Sequence, residues 1–73
     1  MDILAQPIYL TAREAEVLMR IARGRTYAQI GDELGVSCHT VTTHIKNTYR
    51  KLGVRSGAAA VMRAVELKLF GEI

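Results

Sequence analysis

The stretch from Ser37 to Arg55 constrains this chain most, because it divides into two unlike faces when it is wound as a helix. It contains four basic residues and no acidic one. At about 100° per residue, one stripe suits packing and consists of Val41, Ile45, Thr48 and Leu52. The opposite stripe is polar and cationic, and consists of His39, Thr43, Lys46 and Arg50. A helix with these two sides suits the major groove of DNA.

The placement of charge supports the same interpretation. The net charge of the chain is +3. Residues 1–36 have four arginines against five acidic residues, a net of −1, whereas residues 37–73 have six basic against two acidic residues, a net of +4. The positive potential therefore belongs to one end of the domain. A basic helix is also often no more than a solvated surface, and charge alone leaves that alternative open.

Length and composition exclude several classes of function. Seventy-three residues make one small domain with a thin core. The single cysteine, Cys38, excludes an internal disulfide and provides too few thiols for a structural zinc site. The two histidines, His39 and His44, have neither carboxylate partners nor the spacing of metal ligands. We expect no metal, no cofactor, no small-molecule site and no enzymatic activity.

The sequence contains no targeting or membrane signal. Residues 1–10 include an acid and lack the basic start of a signal peptide. No apolar run approaches the ~20 residues needed to span a bilayer. We therefore expect a cytoplasmic protein that does not contact a membrane.

Four helices are predicted, which places the chain in the all-α class. Residues 1–9 form an irregular lead-in, since Pro7 opposes early helix formation. The first helix begins after Thr11, and Glu14 stands three residues further on, at the spacing of a capping box. A single domain then covers residues 10–73.

The second and third predicted helices have the spacing of a helix-turn-helix motif at about 25–44. Thr26 caps a short helix from about 27 to 34, and Gly35 stops it. The third helix runs from about 38 to 52. A short turn that contains glycine between two helices is typical of this motif.

The fourth predicted helix, at about 57–70, has two small or apolar stripes. We expect the larger side chains to face the core, namely Ala58, Val61, Met62, Val65 and Leu69. The other stripe consists of Ala60, Ala64 and Leu67, and it would face outward as a contact surface for a second copy. Alanine also favours helix formation in general. The alternative that this stripe has no role in contact with a second copy therefore stays open.

Several separate blocks of the sequence form a specific pattern. They are LTAREAEVL at 10–18, Gly24, Ile30, Leu34, SCHTVTTHI at 37–45 and KLGVRS at 51–56. In order and spacing they closely resemble the LuxR-type (GerE-like) helix-turn-helix domain of bacterial transcription regulators, over roughly residues 10–65. The resemblance implies a four-helix domain that binds double-stranded DNA through its second and third helices. It also implies a homodimer formed through the fourth helix.

The resemblance assigns roles to individual positions. Those that often face base edges are Thr42, Thr43 and Lys46. Those near the groove wall or the backbone are Thr40, His44 and Asn47, and Thr26 could reach a phosphate. Together with the charge pattern, we expect attraction to phosphates from Lys46, Arg50, Lys51 and Arg55.

The sequence departs from the usual family pattern at several positions, two of which are among those just named. Many members have Lys at 42 and Val at 43, whereas both are Thr here. This removes one cation and adds two hydroxyls, each accompanied by a methyl group that can contact thymine. Gly31 stands where Ala is usual, although Gly costs about 1 kcal/mol inside a helix.

Two hypotheses follow for function. The first is sequence-specific DNA binding by a transcription regulator, either as a stand-alone protein or as the output domain of a longer one. The alternative is a helix-turn-helix module that binds a protein partner, such as RNA polymerase or a sensor, with little DNA specificity.

Overall fold

The computed structural model describes residues 9–69, which form four helices and no strand. The helices are α1 (Ala12–Ala22), α2 (Tyr27–Leu34), α3 (Cys38–Leu52) and α4 (Gly57–Glu66). The all-α prediction is confirmed for this part of the chain. Residues 1–8 of the predicted lead-in at 1–9, and residues 70–73 of the predicted domain, lie outside the described residues.

A hydroxyl side chain caps the N-terminus of every one of these helices. Thr11, Thr26, Ser37 and Ser56 each accept a hydrogen bond from the backbone N–H three residues further on. At Thr11 and Thr26 the cap is reciprocal, because Glu14 and Gln29 accept from the backbone N–H of the capping residue. Each cap satisfies a backbone donor that the helix leaves unpaired.

Helix α3 lies at the centre and contacts α1, α2 and α4, whereas α2 and α4 do not touch each other. One core cluster joins α1, α2 and α3 through Val17, Ile30, Val41 and Ile45. A second cluster joins α1, α3 and α4 through Leu18, Leu52, Ala60 and Ala64. The packing stripe predicted for α3 is confirmed, because all four of its residues are buried. Its opposite face is consequently turned outward.

Two glycines shape the turn of the helix-turn-helix. Gly35 has φ +70°, a left-handed conformation that other residues rarely adopt. Gly31 is buried, and a Cβ built on it would lie 2.6 Å from the backbone oxygen of Val36. The absence of a side chain at 31 thus allows the turn to approach α2 closely, which explains a residue that is otherwise unfavourable in a helix.

The predicted orientation of α4 is wrong at most positions, although Val61 and Leu69 pack against the second core cluster as expected. Ala60 and Ala64 are completely buried against Leu18 and Leu52, so they cannot form the outward contact surface that we expected. Ala58, Met62 and Val65, which were assigned to the core, are exposed. Short alanine side chains let α4 approach α1 and α3 closely, and this close packing outweighs the larger hydrophobicity of Met62 and Val65.

Helix α4 also ends earlier than predicted. Its last residue is Glu66, and Lys68 adopts φ +57°. The Leu69 N–H then donates to the Ala64 oxygen at 2.9 Å, and the Leu69 side chain packs against the second core cluster. This is the hydrogen-bonding pattern of a Schellman motif. Lysine at the left-handed position gives no sequence signal of the kind that glycine gives.

None of the helices within residues 9–69 has the length and apolar character that crossing a bilayer requires.

Candidate nucleic-acid interface

The outer face of α3 is a continuous polar surface, because the four buried residues of this helix all lie on its other side. Thr43, Lys46 and Arg50 are exposed and follow one another at spacings of three and four residues, so they are neighbours along the helix. His39 is exposed one turn before Thr43. Thr40, Thr42, His44 and Asn47 are partly buried at the flanks of this surface.

The threonine hydroxyls of α3 bond to the helix itself. Thr42 Oγ1 donates to the Cys38 carbonyl oxygen at 3.0 Å, and Thr43 Oγ1 donates to the His39 carbonyl oxygen at 3.1 Å. Thr48 on the buried side does the same to His44, at 2.8 Å. This bond satisfies the only polar side chain that α3 buries completely in the core, which is why a threonine is tolerated there.

The predicted phosphate-attracting residues divide into two groups. Within residues 9–69, Lys46, Arg50 and Arg55 form no ion pair. The Arg50 guanidinium does donate to the Asn47 side-chain oxygen, a bond that leaves its charge uncompensated. Lys51 differs, because its Nζ lies 2.6 Å from Glu14 Oε1 on α1. The positive charge available on this side therefore comes chiefly from Lys46, Arg50 and Arg55.

The Glu14 carboxylate is the centre of the contact between α1 and the C-terminal half of α3. Its Oε1 also accepts the Thr11 backbone N–H at 2.8 Å. Burial raises the pKa of Glu14, but hydrogen bonds from Lys51 and Thr11 and the Lys51 charge outweigh it, so the pKa lies below its ordinary value. Glu14 is consequently ionised and holds Lys51 towards α1.

The remaining predicted site residues lie on other elements or serve the caps. Thr26 is the N-cap of α2, and its hydroxyl accepts the Gln29 N–H at 3.1 Å. Thr40 Oγ1 lies 3.1 Å from the Ser37 hydroxyl at the start of α3. Arg55 is exposed in the link between α3 and α4.

Sequence reasoning missed one contact near this surface. The Glu14–Lys51 pair joins residues 37 positions apart, and no local pattern reveals such a pair. Tyr49 packs against both core clusters, and burial together with the Tyr27 hydroxyl raises its pKa. Within residues 9–69, no three His, Cys, Asp or Glu side chains are grouped as a metal site requires.

Known proteins are similar to this chain in sequence, and solved structures are similar to it in fold. The family model "Bacterial regulatory proteins, luxR family" matches residues 9–64. The chain belongs to this family. It is 46% identical over 61 residues to the transcriptional activator protein CarR of Pectobacterium carotovorum, covering 84% of this chain and 25% of CarR. It is 50% identical over 60 residues to the probable transcriptional regulatory protein NarL of Mycobacterium tuberculosis, covering 82% of this chain and 28% of NarL.

Two solved structures have the same fold. The transcription factor GerE superposes with a TM-score of 0.76 at 32% identity, covering 85% of this chain and 91% of GerE. The response regulator ChrA of a heme-sensing two-component system superposes with a TM-score of 0.82 at 34% identity, covering 92% of this chain and 33% of ChrA. The chain thus spans about a quarter of the curated relatives named above but nearly the length of GerE. The sequence-based recognition of a LuxR-type, GerE-like domain is confirmed.

Proposed function

We propose that this chain binds double-stranded DNA with sequence preference, as a bacterial transcription regulator or the output domain of one, and that α3 enters the major groove. The observation that carries the proposal is the outer face of α3, where exposed Thr43, Lys46 and Arg50 lie in line with no acidic partner among the described residues. The transcription regulators to which the chain is similar support it.

The residues of this face have different roles in the proposed complex. Thr42, Thr43 and Lys46 contact base edges, because they lie on or beside the centre of the outer face. Thr40, His44 and Asn47 at the flanks lie against the groove wall. Arg50, Arg55 and Thr26 contact phosphates, which position the domain without reading sequence. Lys51 contributes less than its charge suggests, because Glu14 compensates it.

We further propose that two copies pair through the outer face of α4. Its exposed apolar residues are Met62, at 68% exposure, and Val65, at 52%. Beside them a shallow apolar groove runs between α1 and α4, lined by Ile21, Ala22, Gly57, Ala58, Val61 and Met62. Each domain would then occupy one half-site of a paired operator. The sequence predicted pairing through Ala60, Ala64 and Leu67 instead. Of these three residues, only Leu67 is exposed.

Salt dependence tests the proposal. If Arg50 and Arg55 each neutralise one phosphate, log K per domain falls against log salt with a slope of about −2. Arg55→Ala should make the slope shallower by about one without changing sequence preference. Mobility shift of a site selected from a random DNA pool, measured at several salt concentrations, gives both quantities. A flat response would contradict DNA binding and favour the protein-partner alternative.

Sequence preference tests the placement of α3. Lys46→Ala should weaken binding to the selected site about tenfold and relax the preference at one base pair, because a lysine contact to a guanine edge contributes about 1–3 kcal/mol of discrimination. Arg63→Ala removes one positive charge from α4 instead and is the matched control. Selection from the random pool should return the wild-type site for the control. If Lys46→Ala also returned it unchanged, Lys46 would not contact a base.

A further inference from the structure

The hydroxyl protons of Thr42 and Thr43 are not directed towards DNA. Thr42 and Thr43 each donate to the carbonyl oxygen four residues earlier, at 3.0 and 3.1 Å. A threonine hydroxyl has one proton, so each proton is already used inside α3. What each side chain can still present outward is its Cγ2 methyl group and the lone pairs of Oγ1.

This arrangement limits which base edges the threonines can recognise. In the major groove, guanine presents the acceptors N7 and O6, which require a donor. Thr42 or Thr43 could donate to them only by breaking the bond to its own helix, which would leave a backbone carbonyl without that partner. Thymine presents a C5-methyl group, and a threonine methyl contacts it without using any hydroxyl proton.

Lys46 provides the donor that the threonines lack. It is exposed, lies three residues after Thr43 on the same face and forms no ion pair within residues 9–69. Its ammonium group carries three donors and no acceptor. One turn of α3 therefore presents methyl groups beside a separate cationic donor.

We propose that Thr42 and Thr43 select thymine by methyl contact, with Thr43 at the centre of the contact, and that Lys46 supplies the donor to the adjacent base pair. This inference rests on the proposed DNA binding and adds the class of base that each part of α3 recognises. It assigns the specificity of the threonines to their methyl groups and not to their hydroxyls.

Two substitutions at position 43 separate these groups. Thr43→Val keeps the shape and the methyl and removes the hydroxyl, whereas Thr43→Ser keeps the hydroxyl and removes the methyl. Val, Ser and Thr have similar helix propensities, and the position is exposed, so both variants should fold; circular dichroism melts check this. Thr42→Val and Thr42→Ser form the second pair.

The DNA is changed in a matching way. In the site selected by the wild-type chain, each thymine is replaced in turn by deoxyuridine, which lacks only the C5-methyl group. At the thymine contacted by Thr43, we expect about fourfold weaker binding, the ratio that corresponds to one buried methyl group. Thr43→Val should bind within about twofold of wild type and keep this sensitivity. Thr43→Ser should bind about fourfold more weakly and be indifferent to deoxyuridine at that position.

The outcomes separate the two proposals. If Thr43→Val loses the preference and Thr43→Ser keeps it, the hydroxyl reads the base and this inference is overturned. A wild-type chain that selects a site but is insensitive to deoxyuridine at every thymine also overturns it, while DNA binding stands. A wild-type chain that selects no site at all overturns the proposed function itself. Thr43→Ser and deoxyuridine each weaken binding by removing one methyl group. If the two losses in binding affinity are not additive, this supports direct contact between the two methyl groups.

Discussion

Glu14 connects the start of α1 to the end of α3 through one oxygen atom, which accepts both the Thr11 N–H and the Lys51 ammonium. Its side chain is only 4% exposed, so an ionised carboxylate there is unfavourable without these partners. The geometry has a functional consequence, because Arg50 and Asn47 lie beside Lys51 on the helix that would enter DNA. The Glu14–Lys51 contact therefore joins α1 to α3 directly beside the proposed DNA-facing surface.

Glu14→Gln should lower the free energy of unfolding by about 1–2 kcal/mol at pH 7, since the amide oxygen can still accept hydrogen bonds but no longer carries the negative charge that attracts the Lys51 ammonium. The folded-state pKa of Glu14 is lowered. Its stabilising contribution is therefore complete above the unfolded-state pKa of about 4.3 and is lost as the pH falls through the lower folded-state value. Urea denaturation at pH 7 and at pH 3 should show a gap between wild type and variant that narrows in acid.

Glu16→Gln is the control for this prediction, because Glu16 is an exposed partner of Arg13 at 3.5 Å. Exposed pairs contribute about 0–1 kcal/mol, so this variant should unfold almost as wild type does. A pH-independent gap for Glu14→Gln would show that its effect comes from packing and not from charge.

At the scale of the helices, α3 could be predicted and α4 could not, for a physical reason. The buried side of α3 carries Val41, Ile45 and Leu52, so the direction of hydrophobicity and the direction of packing coincide. In α4 they diverge, because the packed side carries Ala60 and Ala64 while larger apolar side chains lie on the exposed side. Alanine leaves the direction of packing undetermined until the distance between neighbouring helices is known.

The candidate site divides in the same way. Periodicity placed Thr43, Lys46 and Arg50 on one face because all three belong to a single helix. It could not reveal that Lys51 is paired, since Glu14 lies on another helix, nor that the hydroxyls of Thr42 and Thr43 bond to their own backbone. Tertiary packing determines contacts between distant residues and side-chain rotamers, and a local sequence pattern does not contain this information.

Replacing an alanine by leucine on each side of α4 tests which side of this helix packs against the core. Ala60→Leu forces extra volume into a closely packed contact and should cost about 1–3 kcal/mol, which lowers Tm by roughly 5–15 °C in a domain of this size. Ala58→Leu is the matched control, because Ala58 is exposed on the same helix and surface changes usually stay within about 0.5 kcal/mol. Thermal melts followed by circular dichroism compare the two. Equal losses, or a larger loss for Ala58→Leu, would mean that α4 packs by its other face.

At the scale of the whole molecule, α3 and α4 present two surfaces with different chemistry. The outer face of α3 is polar and cationic, and the outer face of α4 is apolar around Met62 and Val65. Helix α1 supports both, since it contacts α3 and α4 and contributes Val17 to one core cluster and Leu18 to the other. In the proposed arrangement, the domain holds DNA with one side while a second copy occupies the other.

Met62→Glu should weaken pairing through α4 at least tenfold, because burying an unpaired carboxylate in an apolar contact is unfavourable and a central interface residue commonly contributes more than 1 kcal/mol. Val65→Glu should act in the same way. Ala28→Glu is the control, since Ala28 is exposed on α2, a helix that does not touch α4. Sedimentation equilibrium over a range of protein concentrations measures the dissociation constant of the pair.

If wild type and all three variants gave the same mass at every concentration, the outer face of α4 would not be the pairing surface. If Ala28→Glu alone abolished pairing, the interface would lie on α2 instead.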